Sequence, residues 1–224
     1  DNFGTSVAIS DGTIVVGAHC DDDKGSDSGS VYVFEMSSPN DASSFTQVAQ
    51  LTADDGAAND NFGVSVAISD GTIVVGANLD DDKGSDSGSV YLFEMSSPND
   101  ASSWSQVAKL TADDGAANDQ FGIRVAISDG TLAVGAHYDD DKESDSGSVY
   151  LFEKSSPNDA SSWSQVAKLT ADDGAESARF GYSVAISDGT IVVGALYDDD
   201  KATKSGSAYL FEKSSSGDAS SWAQ

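Results

Sequence analysis

The sequence predicts an all-β repeat protein: four copies of one four-stranded antiparallel unit, the last copy incomplete. Three observations lead there. "DNFGTSVAISDGTIVVGA" at residue 1 returns as "DNFGVSVAISDGTIVVGA" at 60, "DQFGIRVAISDGTLAVGA" at 119 and "ARFGYSVAISDGTIVVGA" at 178, a period of 59 residues. The apolar runs are short and rich in β-branched residues, and no window shows a 3.6-residue period. Clusters of Gly, Asp, Ser and Asn separate the runs at regular spacing. The units are residues 1–59, 60–118, 119–177 and 178–224 of a single repeat domain. Unit four lacks the last twelve residues of the pattern, so the chain is expected to break off inside a repeat and to leave a bare sheet edge there.

Within a unit the elements follow in order. Strand A is Thr5 to Ser10, where Val7 and Ile9 face one way and Ser6 and Ala8 the other, the period-two pattern of a half-buried strand. Asp11-Gly12 supplies a two-residue turn that tolerates positive φ, so strand B, Thr13 to Ala18, returns as the second arm of a hairpin. Strand B, "TIVVGA", is apolar on both faces and is expected to be covered on both. An aspartate-rich loop follows. Strand C, Ser30 to Glu35, alternates Tyr32 and Phe34 with Val31 and Val33. "SSPNDASS" reads as a loop, and strand D, Phe45 to about Thr52, is the most polar of the four. The aromatic that opens strand D is Trp104, Trp163 and Trp222 in the later units.

Composition narrows the functions. Lys and Arg number 11 against 38 for Asp and Glu, a formal charge of −27, which repels nucleic acid and anionic lipid surfaces. No apolar run approaches the roughly 20 residues of a membrane-spanning helix. The chain begins without Met inside its recurring motif, so removed or upstream sequence is an open possibility. The single Cys20 aligns with Leu79, Tyr138 and Tyr197 and reads as a packing residue. No Ser or Cys has a His at a recurring offset, and His19 and His137 stand in different units, so an enzyme is not expected and the histidines read as exposed loop residues.

Four antiparallel strands per repeat of this length suit a propeller blade. "FG", then "IVVGA", then "SGSVYVF", in fixed order and spacing in all four units, resembles the FG-GAP repeat, the blade of integrin α-subunit propellers and related surface proteins. That resemblance implies a β-propeller-type fold, an extracellular or cell-surface location, and protein or glycan ligands bound on one face. The sequence departs from the integrin pattern in three ways. His19, Asn78, His137 and Leu196 replace the proline of "GAP", the integrin calcium loop between strands A and B is shortened to Ser-Asp-Gly-Thr, and four blades are present rather than seven.

Alternating strand directions place the B–C and D–A connections on the same face of the disc. The runs Asp21, Asp22, Asp23 with Asp27; Asp80, Asp81, Asp82 with Asp86; Asp139, Asp140, Asp141 with Asp145; and Asp198, Asp199, Asp200 all fall in B–C loops, and Asp54, Asp55 and Asp60 in a D–A loop. Clustered carboxylates with Gly and Ser neighbours are candidate Ca²⁺ ligands, the alternative being turn-capping acids that keep an array soluble. Unit four has Lys204 where the others have Asp27, Asp86 and Asp145, and Ala178 where they have Asp1, Asp60 and Asp119. On this reading the chain is a non-catalytic scaffold or adhesion module that binds a protein or glycan through an acidic loop face with calcium. The alternative is a structural repeat whose edge is completed by further repeats or by self-association into a ring or filament.

Overall fold

The computed structural model describes residues 1–38, 41–97, 100, 102–156, 159–214 and 221–224. Unit 1 contributes β1 (Ser6–Ser10), β2 (Thr13–Ala18), β3 (Ser30–Met36) and β4 (Phe45–Leu51). Unit 2 contributes β5 (Ser65–Ser69), β6 (Thr72–Ala77), β7 (Ser89–Met95) and β8 (Trp104–Leu110). Unit 3 follows with β9 (Arg124–Ser128), β10 (Thr131–Ala136), β11 (Ser148–Lys154) and β12 (Trp163–Leu169), and unit 4 with β13 (Phe180–Ser187), β14 (Thr190–Ala195), β15 (Ser207–Lys213) and β16 (Trp222–Ala223). Each unit is one antiparallel sheet with its strands in chain order. The fold is an all-β array of propeller blades, as the repeat predicts.

The A–B turn forms for the reason the sequence suggests. Asp11 and Gly12 both take positive φ, 47° and 84°, and Ser10 pairs directly with Thr13. The other three units repeat this with Asp70, Asp129 and Asp188. Strands C and D pair with one register shift in each of units 1 to 3, between Val33 and Phe34, Leu92 and Phe93, and Leu151 and Phe152, the mark of a β-bulge or irregularity. In the Ser37–Ser44 loop, Asp41 caps a short 3-10 turn over Ala42–Ser44 by accepting the Ser43 amide at 2.9 Å. The centre of that loop and of its counterparts, and residues 215–220, lie outside the described residues.

The core lies between blades. The inner strands β1, β5, β9 and β13 pack one on the next. Each interface is built from the same two surfaces. The trailing face of unit 1 (Val15, Val31, Val33, Leu51) meets the leading face of unit 2 (Phe62, Val66, Ile73, Val75, Tyr91, Phe93). Val74, Val90 and Leu92 of unit 2 meet Phe121, Val125 and Leu132 of unit 3, and Val149 and Leu151 of unit 3 meet Phe180, Ile191 and Val193 of unit 4. Strand B is apolar on both sides because Ile73 and Val75 face one neighbour and Val74 the other.

The Phe-Gly pair is the wedge of each interface. Phe62, Phe121 and Phe180 are at most 1% exposed and meet Tyr and Phe of their own strand C edge-on. Gly17 is required because a Cβ there would lie 2.0 Å from the Gly63 carbonyl oxygen of the next blade. Phe3 differs from its three counterparts: it is 57% exposed, with no other blade of the described residues against the leading face of unit 1. Unit four likewise keeps a remnant of strand D rather than none: β16 pairs with β15 at Glu212 and Lys213 alone.

Candidate functional site

The B–C and D–A loops do come together on one face. Asp55, Ala57, Ala58 and Asp60 from the D–A loop and Asp80, Asp81 and Asp82 from the B–C loop line one shallow depression with Lys109. Each aspartate of a run has its own partner there.

The first aspartate turns inward. Asp80, Asp139 and Asp198 are buried, and each accepts a tyrosine hydroxyl from strand C: Tyr91 at 2.9 Å, Tyr150 at 2.7 Å and Tyr209 at 2.8 Å. They also accept Ser89, Ser148 and Ser207 hydroxyls, at 2.8, 2.8 and 3.1 Å. In unit 1 Asp21 is half-buried and accepts Tyr32 at 2.5 Å. Burial, then the neighbouring Asp80 or Asp139 charge, holds the Tyr91 and Tyr150 hydroxyls well above the ordinary phenol range. The hydrogen bond to Asp21, followed by burial, takes Tyr32 to about 12. These phenols stay protonated donors at any physiological pH.

The second aspartate locks the loop. Asp22, Asp81 and Asp140 accept the backbone amides of Asp27, Asp86 and Asp145 at 2.8, 2.8 and 2.7 Å, and Asp199 accepts that of Lys204. The residue at that fourth position has positive φ in every unit, including Lys204 at 54°. Its carbonyl receives the next unit's amide, as in Asn61 to Asp27 at 3.1 Å. The position therefore works through its backbone, which explains why a lysine is tolerated there. The Lys204 ammonium does not sit among the carboxylates but over the Tyr197 ring, 4.9 Å from its centroid.

The third aspartate meets a cation that the chain itself provides. Lys109 on β8 places Nζ 2.6 Å from Asp82, 2.7 Å from Asp55 and 3.2 Å from Asp80. Lys168 on β12 repeats this with Asp114 at 2.8 Å, Asp139 at 3.0 Å and Asp141. Burial alone would lower both ammonium pKa values, but the hydrogen bonds and charges of the three acids outweigh it and raise them. Burial likewise opposes ionisation of Asp55 and Asp114, and their lysine and tyrosine bonds reverse it to a net lowering. Among the described residues no group of three or more His, Cys, Asp or Glu is placed to hold a metal ion. In units 2 and 3 the carboxylates surround an ammonium. Unit 1 has Gln50 at the lysine position, donating to Asp23 and, at 3.2 Å, to Tyr32.

Asp60 and Asp119 act inside the D–A loop instead, closing it by accepting Ala57 and Ala116 amides at 2.7 Å. Burial, opposed by those bonds and reinforced by the nearby acids, raises both carboxyl pKa values, that of Asp119 to about 6. His137 is buried, not exposed as expected, between Tyr138 and Tyr182, and burial followed by the Arg179 and Arg124 charges takes it to about 4. His19 is half-buried and shares a 3.0 Å hydrogen bond with Thr5 Oγ1. Cys20 is half-buried and accepts from Asn2 at 3.3 Å. Sequence reasoning missed the lysine clamps. Their signal is the recurrence of lysine at one repeat offset on strand D, Lys109 and Lys168, but the pairing with the acids depends on strand D lying under the loops, which the sequence does not display.

A match to the FG-GAP repeat covers residues 1–34, 45–93, 104–152 and 163–211. The chain belongs to the FG-GAP repeat family. The matched FG-GAP frame runs from a strand D through the next unit's strands A to C, so it coincides with the interblade interface rather than with a single sheet. No curated protein matches the sequence. Among solved structures, Chaetomium thermophilum Sqt1 bound to the N-terminus of the ribosomal protein L10 is similar at 14% identity and TM-score 0.55, over 92% of this chain and 44% of that one. Saccharomyces cerevisiae Sqt1 is similar at 12% identity and TM-score 0.52, over 88% of this chain and 43% of that one. These neighbours are WD40-like propellers and share the fold. The FG-GAP chain spans less than half the length of either.

Proposed function

We propose that this FG-GAP array is a non-catalytic scaffold, extracellular or at a cell surface, that binds a protein segment bearing Lys and Arg on its acidic loop face. The observation that supports this most is the convergence of the B–C and D–A loops on one face of a chain with formal charge −27. Exposed acids such as Asp54, Asp113 and Asp172 add to that face beyond the acids engaged with the lysine clamps. A propeller that takes a protein terminus, as Sqt1 takes that of ribosomal protein L10, gives the fold a precedent for such a role. Calcium in this reading belongs to the loops that hold no lysine clamp: that of unit 1, where Gln50 stands at the lysine position beside Asp21 and Asp23, and that of unit 4, where Lys204 lies over Tyr197 rather than among Asp198, Asp199 and Asp200.

Fluorescence anisotropy with a labelled Lys/Arg-rich peptide tests the reading. Binding should weaken steeply between 50 and 300 mM NaCl, as screening of exposed charges on about the 10 Å scale requires, and the Asp54→Asn, Asp113→Asn, Asp172→Asn triple variant should bind less tightly. No binding at low salt, or an affinity indifferent to the triple variant, would reject it. A glycan ligand, the other class the resemblance implies, would show itself on a glycan array as binding insensitive to salt.

A further inference from the structure

The chain has two arginines, and both break the repeat. Arg124 stands where the other units have Ser6, Ser65 and Ser183, and Arg179 where they have Asn2, Asn61 and Gln120. We propose that Arg124 anchors a carboxylate-binding site in the cavity between the starts of the inner strands β1, β5 and β9. That cavity, of about 370 Å³, is walled by Thr5 and His19 of unit 1, Val64 and Ser65 of unit 2, and Ile123 and Arg124 of unit 3. None of its lining residues is acidic, whereas the depression between the B–C and D–A loops is lined by Asp55, Asp60, Asp80, Asp81 and Asp82. The two share no lining residue, so the carboxylate site stands or falls separately from the acidic face.

Arg124 is half-buried and, among the described residues, takes part in no ion pair, although Lys109, Lys154, Lys168 and Lys213 each meet a carboxylate. Its Nη1 donates to the adjacent Ile123 carbonyl at 2.6 Å, and the guanidinium lies 5.6 Å from the centroid of the Tyr182 ring. Its other N–H groups meet no acceptor among the described residues. The charge is not cancelled locally: burial first, then the Arg179 and Arg124 charges, take nearby His137 to about 4. Of the hydroxyls around the cavity, Thr5 and Ser6 already donate to the Asn2 and Gly63 carbonyls, at 2.7 and 2.8 Å. Ser65 accepts the Val125 amide at 3.0 Å, which leaves its own proton to donate. A guanidinium with open N–H groups and a hydroxyl donor, set beside Val64 and Ile123, suit a carboxylate carried on a short apolar group. One positive group matches a monoanion, while a phosphate dianion would bring a second negative charge to a chain of formal charge −27. Arg179 is the contrast. Its guanidinium lies over the Tyr138 and Tyr197 rings, 4.5 and 4.8 Å from their centroids, and it lines no part of the cavity.

With two arginines the chain gives two arginine Nε–H signals in a nitrogen-15 NMR spectrum, and Arg124→Ser assigns them. Serine holds this position in the other units, so the variant should keep the wild-type circular dichroism spectrum. Titration with sodium butyrate, at an ionic strength held constant with NaCl, should move the Arg124 signal along a saturable curve and leave that of Arg179 in place. Butyramide, neutral and of similar shape, should move neither. In Arg124→Ser the butyrate affinity, followed through the Ser65 and Ile123 amide signals, should fall about tenfold or more, as loss of a charged hydrogen-bond partner requires. N-acetyl-alanyl-valine and its amide separate the sources of the carboxylate. A free acid that binds more tightly than butyrate, with no binding of the amide, identifies a peptide C-terminus, and a free acid no tighter than butyrate identifies a small carboxylate. An Arg124 signal that follows NaCl alone, responds to butyramide as to butyrate, or shifts together with Arg179 would overturn the proposal. So would tighter binding of inorganic phosphate than of butyrate, or an affinity unchanged in Arg124→Ser.

Discussion

Lys168 and the acids around it form a closed charge group, so its removal leaves Asp139 buried without its counter-ion. Lys168→Met should cost roughly 2–4 kcal/mol, at and below the lower end of the range for breaking a buried pair because the ammonium keeps some solvent contact. Thermal denaturation beside Lys201→Met, an exposed lysine whose loss should be near neutral, measures it. The converse is Gln50→Lys, which brings an ammonium to Asp21 and Asp23 and should raise the melting temperature; an unchanged or lower value would show that the third acid of the clamp is indispensable. The pH dependence has a definite sign. Asp119 has its folded pKa raised to about 6, so its contribution to stability is present below about pH 4 and lost as pH rises through 6. Asp55 and Asp114, lowered on folding, contribute above the ordinary carboxylate range and lose that contribution as pH falls below it. His137, held at about 4 by burial, acts in the opposite sense, its contribution being present above about pH 6.5 and falling away below it, so Asp119 is read from its own variant rather than from the pH dependence of the whole chain. Asp119→Asn, which can still accept the Ala116 amide, should gain on the order of 2–3 kcal/mol at pH 7.5 and roughly half that at pH 5. Equal gains at both would remove Asp119 as the cause.

At the scale of the strand and its wedge, equivalent residues in different units have unequal surroundings. Phe121→Ala removes a ring held between two blades and should cost about 3–5 kcal/mol. Phe3→Ala removes an exposed ring and should change the stability of the monomer by less than about 0.5 kcal/mol. Urea denaturation of the two variants makes the comparison, and equal losses would mean that Phe3 is covered in the monomer after all. Strand positions were legible from alternation and turn chemistry to within about a residue: Thr13 to Ala18 is β2 unchanged, and strand A starts at Ser6 rather than Thr5. Which face of each strand meets which neighbour was not legible, because alternation names two faces without saying what covers them.

Across the whole molecule, calcium is the measurement that separates the readings of the acidic face. With lysine clamps in units 2 and 3, a calcium response should arise from the loops of units 1 and 4, and its unit 1 share should disappear in Asp21→Asn, Asp23→Asn. At a hundred times its dissociation constant, one bound ion adds roughly 2.7 kcal/mol to the folded state. Differential scanning calorimetry in CaCl₂ against MgCl₂ and NaCl at matched ionic strength reads it. A stabilisation by calcium no greater than that of the controls would withdraw calcium from the proposed function.

The period of 59 residues, the strands, the Asp-Gly hairpins and the side of the disc on which the acids emerge follow from the sequence by itself, because each rests on local geometry: alternation, turn chemistry and strand direction repeat with the residues that cause them. What an aspartate does could not be read that way. Asp80, Asp81 and Asp82 are adjacent and chemically identical, yet one is buried against Tyr91, one holds the Asp86 amide and one faces Lys109, 27 residues further on. The division was decided by the tertiary structure, since it depends on which strand lies under the loop and on a lysine that only the folded sheet brings to it. The same holds for Phe3 and Phe62, alike in their local sequence and opposite in exposure, because a blade's interface is half its own and half its neighbour's.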